Sequence, residues 1–454
     1  MSDSAPRPAL DALADRLGER VTRPGHPLWD AMRSPWNLAI DQRPAAVAVP
    51  ADVDELRAVL VAARSDGLGI AVQPSGHGAS GSLEGAVLVR TSAFDEIEID
   101  TAARIARVGA GVRWGLVLEA LAGSGLVPLA GSSPVVNATA FTIGGGHSWF
   151  SRTHGLGSGA LRAVQLLTAD GRHRWIRDAD DPELMWALRG AGGAFGVVTA
   201  IEIELYPAPE LVGGRLVFAP TDAAAVFRAV IAAGRSAPES LALHAGAMRI
   251  PDVPAAPPEL RGTTIVSVEL VELGASAEAR DAIDAIRAAG TVHVDTVGRF
   301  EVELLGTIAE EPTDPSPGYG WSVFADLDDD VVTRLVEAWE EPEGRAVMAI
   351  SLRLLGGALA GAPARPSIAG AIRQNAVVSG HAIGWPELAD AVRGGFAHLR
   401  EALGPAASDR TLCTFAAPGV GYSGAYAQAD VARAARVKAT VDPEARFVGN
   451  REFR

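Results

Sequence analysis

Apolar positions along the chain change period as it is read from end to end. Leu10, Leu13 and Leu17 are spaced for a short amphipathic helix. Leu56, Val59, Leu60 and Ala63 repeat that spacing behind Asp52 or Asp54, either able to cap, with Gly67 as the stop. Continuous apolar runs at 68–72 and 86–89 read as buried strands, and residues 97–112 read as strand, turn, strand ending at two glycines. A helix over 115–125 closes at Gly125. A strand from Val164 runs into a tight turn at Asp170-Gly171, a capped helix spans 181–190, and a further strand runs from Gly196 to about Pro207. Beyond Pro207 strands (214–218, 264–270) alternate with helices (222–234, 276–289, 328–340), which predicts an antiparallel sheet with helices on one face. Stretches rich in proline and glycine at 249–262 and 311–320 read as loops, and an alanine- and arginine-rich helix spans 426–438.

With 454 residues, 48% of them hydrophobic, the chain can bury a large core and divide into two or more lobes of an α+β fold. A net charge of -15 argues against a nucleic-acid partner. The single cysteine, Cys413, excludes a disulfide framework within the chain. Residues 1–8 lack the basic start and apolar centre of a secretory signal, and no apolar run approaches the roughly 18 residues needed to cross a bilayer. A cytoplasmic location without a membrane partner is the expectation; monomer and homodimer are both open.

Chemistry concentrates where glycines cluster. Val72-Gln73-Pro74-Ser75-Gly76-His77-Gly78-Ala79-Ser80 joins two apolar runs, and its small residues let successive backbone N–H groups converge on an anion beside a nucleophilic imidazole. Taken alone, the loop is equally a strand–turn–strand with a surface histidine. A second cluster runs from Thr142 through Gly144-Gly145-Gly146-His147 to Gly157, and a third from Leu188 to Thr199. A side chain at Gly144 to Gly146 would collide with a flat ring or a diphosphate lying against the backbone, although a purely structural turn is the alternative.

Together the three clusters resemble the flavin domain of the vanillyl-alcohol-oxidase superfamily (PCMH type), most closely its berberine-bridge-enzyme-like branch. The likeness covers most of residues 30–208, including Trp36-Asn37, the strand at 43–50 and the Asp181-Pro182-Glu183-Leu184-Met185-Trp186 helix, and returns at 441–450. It implies an FAD-binding domain over 1–207 with its core at about 40–207, a substrate domain over 208–405, and a segment over 406–454 returning to the first. It further implies FAD bonded through its 8α-methyl to His77 and cradled by Gln73, Pro74, Ser75, Gly76, Gly78, Thr142, Gly144, Gly145, Gly146, Val198 and Asn450. Ser133 stands where doubly tethered relatives have a cysteine, so no cysteinyl bond is expected. Val136 stands where relatives line the approach of oxygen, and its small size is of the oxidase type. Gln73, in place of the family's arginine, and Ala194, in place of an asparagine, are departures that leave the backbone donors intact. Leu354-Leu355-Gly356-Gly357-Ala358 resembles an inner strand of the substrate lobe.

The resemblance implies an oxidase that moves hydride from a C–H beside an alcohol or amine of a small or secondary-metabolite substrate to flavin N5, with O2 as acceptor giving H2O2. Such chemistry needs a base for the heteroatom proton. Relatives carry it on a Tyr-x-Asn-Tyr strand, but Thr414-Phe415-Ala416-Ala417-Pro418 keeps no phenol or amide. The base is then absent or has moved, with His147, Tyr422, Tyr426, His381 and Tyr319 as candidates. Each also has an ordinary reading as a core or loop anchor. A dehydrogenase using another acceptor and a non-redox ligand-binding or cyclase scaffold are the alternatives. No metal is expected.

Overall fold

The computed structural model of the chain describes residues 7–453 apart from 82, 253–257 and 259, so the N-terminal reading of residues 1–6 and part of the loop at 249–262 lie outside the described residues. Four short strands, Ala46–Ala48, Ala86–Val89, Gly69–Val72 and Phe447–Val448, pair in that spatial order and all in parallel, with Val21–Thr22 antiparallel on the outer edge. Parallel strands are covered on both faces, which is why these read as unbroken apolar runs. The crossover is the helix Val53–Ser65, N-capped by Asp52, whose side chain accepts from the Glu55 N–H at 2.8 Å. Pro8–Leu17 lies on that helix through Leu10, Leu13 and Leu17.

A second, antiparallel sheet has the order Ile97–Asp100, Ile105–Gly109, Val197–Glu204, Leu161–Leu167, His173–Arg177. Leu167 and Val197 on it pack into the same apolar cluster as the first sheet. The first glycine cluster joins Gly69–Val72 to Ala86–Val89 of the first sheet, the second follows the helix Ala138–Ile143, and the third leads into Val197–Glu204 of the second sheet.

The third sheet has eight strands: Val292–Asp295, Leu211–Phe218, Thr264–Leu273, Leu241–Arg249, Ala349–Leu354, Ala376–Ile383 and Gly318–Ala325 in spatial order, with Gly298–Arg299 also on Leu211–Phe218. All its pairs are antiparallel, so alternation gives it two unlike faces. The register aligns Leu216, Val268, Ala245, Leu352, Val378 and Val323 in one apolar row under the helices Ala223–Ser236, Ala277–Arg287, Asp329–Glu340 and Ala389–Leu403. The neighbouring row on the opposite face is polar: Arg215, Glu269, His244, Arg353. That face is turned toward the glycine clusters, where His244 stacks on Trp149 with centroids 4.1 Å apart.

Past Leu403 the chain returns to the first lobe. Helix Gln428–Val441 lies on Pro182–Ala191, with Arg433 over the Trp186 ring at 3.9 Å. Buried Asp442 then accepts from the Arg446 and Phe447 N–H groups, both at 2.9 Å, and aims Phe447–Val448 into the parallel sheet. Two sequence readings need correction. The strand before Gly356-Gly357 stops at Leu354, because both glycines have positive φ (92° and 55°) and a Cβ on Gly357 would come within 2.2 Å of the Arg152 carbonyl. The helix read over 115–125 ends earlier, at Ala120.

Candidate functional site

Between the first two sheets and the polar face of the third lies a cavity of about 360 Å³, within the size range of small-molecule and cofactor sites. Residues 72–79 form one wall, and the glycine loop at 190–196 with Tyr422 another, while Glu311, Arg353 and Phe415 close the end nearest the third sheet.

The histidine loop is held rigidly from below. Arg90, at the end of Ala86–Val89, donates to the carbonyls of Gln73, Met32 and Ser34 at 2.8 to 3.2 Å, and burial pushes its guanidinium down to about 10. Gln73 and Gln42 exchange two amide hydrogen bonds of 2.9 and 3.0 Å in the core. Gly76 has a φ of 81° and packs so closely on Pro35 that a Cβ would meet it at 2.9 Å. His77 therefore has a fixed place: its ring stacks on Trp36 at 4.1 Å, and Nδ1 lies 2.9 Å from Ser75 Oγ. Burial, aided by the charge of Arg113, pushes the imidazole down to about 4, so it is neutral near pH 7. Nε2 is buried without a hydrogen-bond partner among the described residues.

Of the residues singled out from sequence as cofactor contacts, Gln73, Pro74, Ser75, Gly76, His77, Gly78, Ser133, Val136, Gly144, Val198 and Asn450 line this one cavity. Asn450 donates to the Gly78 carbonyl and so ties the C-terminus to the histidine loop. Thr142, Gly145 and Gly146 do not border it. Thr142 turns its hydroxyl back on the Ala138 carbonyl at 2.8 Å, and Gly145 and Gly146 border a second cavity of about 290 Å³. The need for glycine at 146 comes from the protein itself, since a Cβ there would lie 2.6 Å from the Phe141 ring.

The donor set fits a flat, diphosphate-bearing group. A Cβ at Gly193 would meet no protein atom within 4 Å, and one at Gly78 only the Asn450 amide at 3.8 Å, so the space beside both is open to a ligand approaching the backbone. The unpartnered His77 Nε2 is the one buried imidazole nitrogen on that wall.

The candidate bases separate cleanly. His147 is in the cavity wall, fully buried, both ring nitrogens without partners, and burial together with the Arg353 charge pushes it down to about 3. Tyr422 also lines the cavity; burial raises its phenol, which stays protonated. Tyr426 lies outside it and donates to the Gly190 carbonyl at 2.8 Å, an anchor for the glycine loop. His381 sits on the polar face, paired with Gly320 and Ala349, outside the cavity. Tyr319 has the parity of Trp321, which stacks on Phe396, and so belongs to the helix-covered side. Sequence reasoning passed over Trp36, Arg90, Glu311 and Arg353. The signal for Arg353 was present: a lone cation at an inward position of the alternating run Ile350-Ser351-Leu352-Arg353-Leu354.

Residues 44–177 match the FAD binding domain family. (R)-6-hydroxynicotine oxidase of Paenarthrobacter nicotinovorans is 33% identical over 196 residues, 42% of this chain and 43% of that protein. Xylooligosaccharide oxidase of Thermothelomyces thermophilus is 28% identical over 213 residues, 46% of this chain and 43% of its own. The alignments thus span less than half the length of these relatives. In three dimensions the likeness extends to the whole chain: the structure of 6-hydroxy-D-nicotine oxidase from Arthrobacter nicotinovorans superposes with a TM-score of 0.81 at 23% identity, covering 96% of this chain and 97% of that one. The BBE-like 1 protein of Physcomitrella patens does so at 0.80 and 18%, covering 98% and 99%. Residues 44–177 thus match an FAD binding domain, and the chain as a whole shares its fold with 6-hydroxy-D-nicotine oxidase and the BBE-like 1 protein.

Proposed function

We propose that the protein is an FAD-dependent oxidase of a small or secondary-metabolite alcohol or amine, with O2 as acceptor and H2O2 as product, and that its flavin is bonded to His77. The observation that carries this reading is the state of His77, which lines the cavity: neutral, immobilised by Trp36 and Ser75, and with Nε2 buried and unpartnered. With the ring proton on Nδ1 and donated to Ser75 Oγ, the lone pair on Nε2 is free to make the bond. Bound there, FAD supplies the hydride acceptor. Ser133 offers no thiolate, and the chain's one cysteine, Cys413, is on the C-terminal wall. The first relatives named above are called oxidases of a hydroxynicotine and of xylooligosaccharides, which supports the reaction class.

The chain's own part is to bind, orient and exclude water. His147 is too weakly basic to store a proton near pH 7, so its unprotonated ring nitrogen serves as a hydrogen-bond acceptor for the substrate heteroatom, and the protonated Tyr422 phenol as a donor. This arrangement suits substrates that release their heteroatom proton easily. A panel of secondary alcohols and cyclic amines, screened for peroxide in air and for bleaching of the flavin band without oxygen, tests the proposal. A substrate that bleaches the band and produces peroxide supports it. Bleaching without oxygen uptake would instead mark a dehydrogenase, and no bleaching by any substrate a non-redox scaffold.

A further inference from the structure

The end of the cavity beneath the third sheet is rich in hydrogen-bond donors and poor in acceptors. Arg353 reaches it from the polar row, with its guanidinium 4.8 Å from the Phe415 ring centre. Its only hydrogen bonds to described residues leave from Nη2, to Ser132 Oγ at 3.3 Å and Glu311 Oε1 at 3.5 Å, both at the long limit. Fully committed arginines in this chain look different: Arg189 grips Asp178 through two bonds of 2.7 and 2.6 Å. Nη1 and Nε of Arg353 have no acceptor among the described residues, although four-fifths of the side chain is buried (21% exposed). Beside it, His147 is 3% exposed and unpartnered at both nitrogens, one of which carries a proton at neutral pH. Glu311 is the only carboxylate among the cavity-lining residues, and it already accepts from Ser132.

We infer that Arg353 is the substrate anchor of this cavity and that the substrate carries a carboxylate, held by the free edge of the guanidinium with the His147 N–H as a second donor. A planar fork with unused donors matches the two oxygens of a carboxylate, whereas an ammonium offers no acceptor and a hydroxyl only one uncharged oxygen. The anchored acid places the rest of a small substrate toward the histidine loop, and to that extent the inference rests on the proposed oxidation there. His244 and His147 are both held neutral by burial and by the Arg353 charge, which keeps Arg353 the dominant cation of the roof.

The holoenzyme is titrated with benzoate, benzyl alcohol and benzylamine, following the flavin band and, independently, the heat of binding. Benzoate is expected to bind at least tenfold more tightly than the other two. Arg353→Gln should lose about tenfold or more in benzoate affinity, with benzyl alcohol unaffected and flavin content and melting temperature retained, and Arg353→Lys should recover part of the loss. Should Arg353→Gln not fold, Glu311→Gln decides: with the competing carboxylate neutralised, benzoate must bind at least as tightly as to the parent. Benzoate binding no tighter than benzyl alcohol, a preference for benzylamine, undiminished benzoate affinity in Arg353→Gln, or weakening in Glu311→Gln would each overturn the inference. A protein purified without flavin would sink the oxidase reading instead, and calorimetry would still test Arg353.

Discussion

His147 makes the stability of the chain depend on acidity in a way that can be worked out beforehand. Its imidazole sits at about 3 in the folded chain against 6.5 when unperturbed, first because it is buried and second because Arg353 faces it. Between those values the unfolded chain takes up a proton that the folded chain does not. Stability is therefore full above about pH 6.5 and falls as the pH drops through that value toward 3. The whole shift corresponds to about 5 kcal/mol at about 1.4 kcal/mol per unit, of which about 2 kcal/mol is lost between about pH 7 and pH 5. His147→Gln cannot take up the proton, so its own share of the loss disappears. His244, pushed down by burial, by Arg353 and by His147 itself, is replaced by glutamine in both proteins so that its own titration does not enter the comparison. Urea unfolding of both proteins at the two pH values measures the double difference, and the parent should lose about 2 kcal/mol more than the variant. Equal losses would refute the claim that this imidazole is held neutral against the cavity.

Two further perturbations probe the frame around the site. Arg90→Met leaves the part-buried carbonyls of Gln73, Met32 and Ser34 without their donor and should cost roughly 2–4 kcal/mol, read as a lower melting temperature together with poor flavin incorporation. Truncation after residue 440 removes Phe447–Val448 from the parallel sheet and Asn450 from Gly78. It should yield protein that no longer retains FAD on gel filtration, and retention would show that the returning segment is dispensable.

Much of this architecture was legible in the chain. Short-range signals survive because they are local: the Asp52 cap, the leucine spacing of Pro8–Leu17 and the apolar runs of the parallel strands each follow from backbone geometry and burial within a few residues. The glycine clusters were legible as backbone approaches, but the reason for each glycine was not. Gly146 is set by a Phe141 ring five residues away in sequence, and Gly357 by the Arg152 carbonyl from a distant loop. The roof was least legible, because Arg353, Glu311 and Ser132 meet only when three separate segments are brought together. The same distance-blindness admitted Tyr319, which strand parity assigns to the helix-covered side.

The account stands on a bond between His77 and the flavin. The most direct measurement is the mass of the proteolytic peptide containing residue 77, taken from acid-denatured protein. The account predicts a peptide heavier by one FAD, with fragmentation placing the addition on His77; an unmodified peptide from a protein that was yellow when native would contradict it.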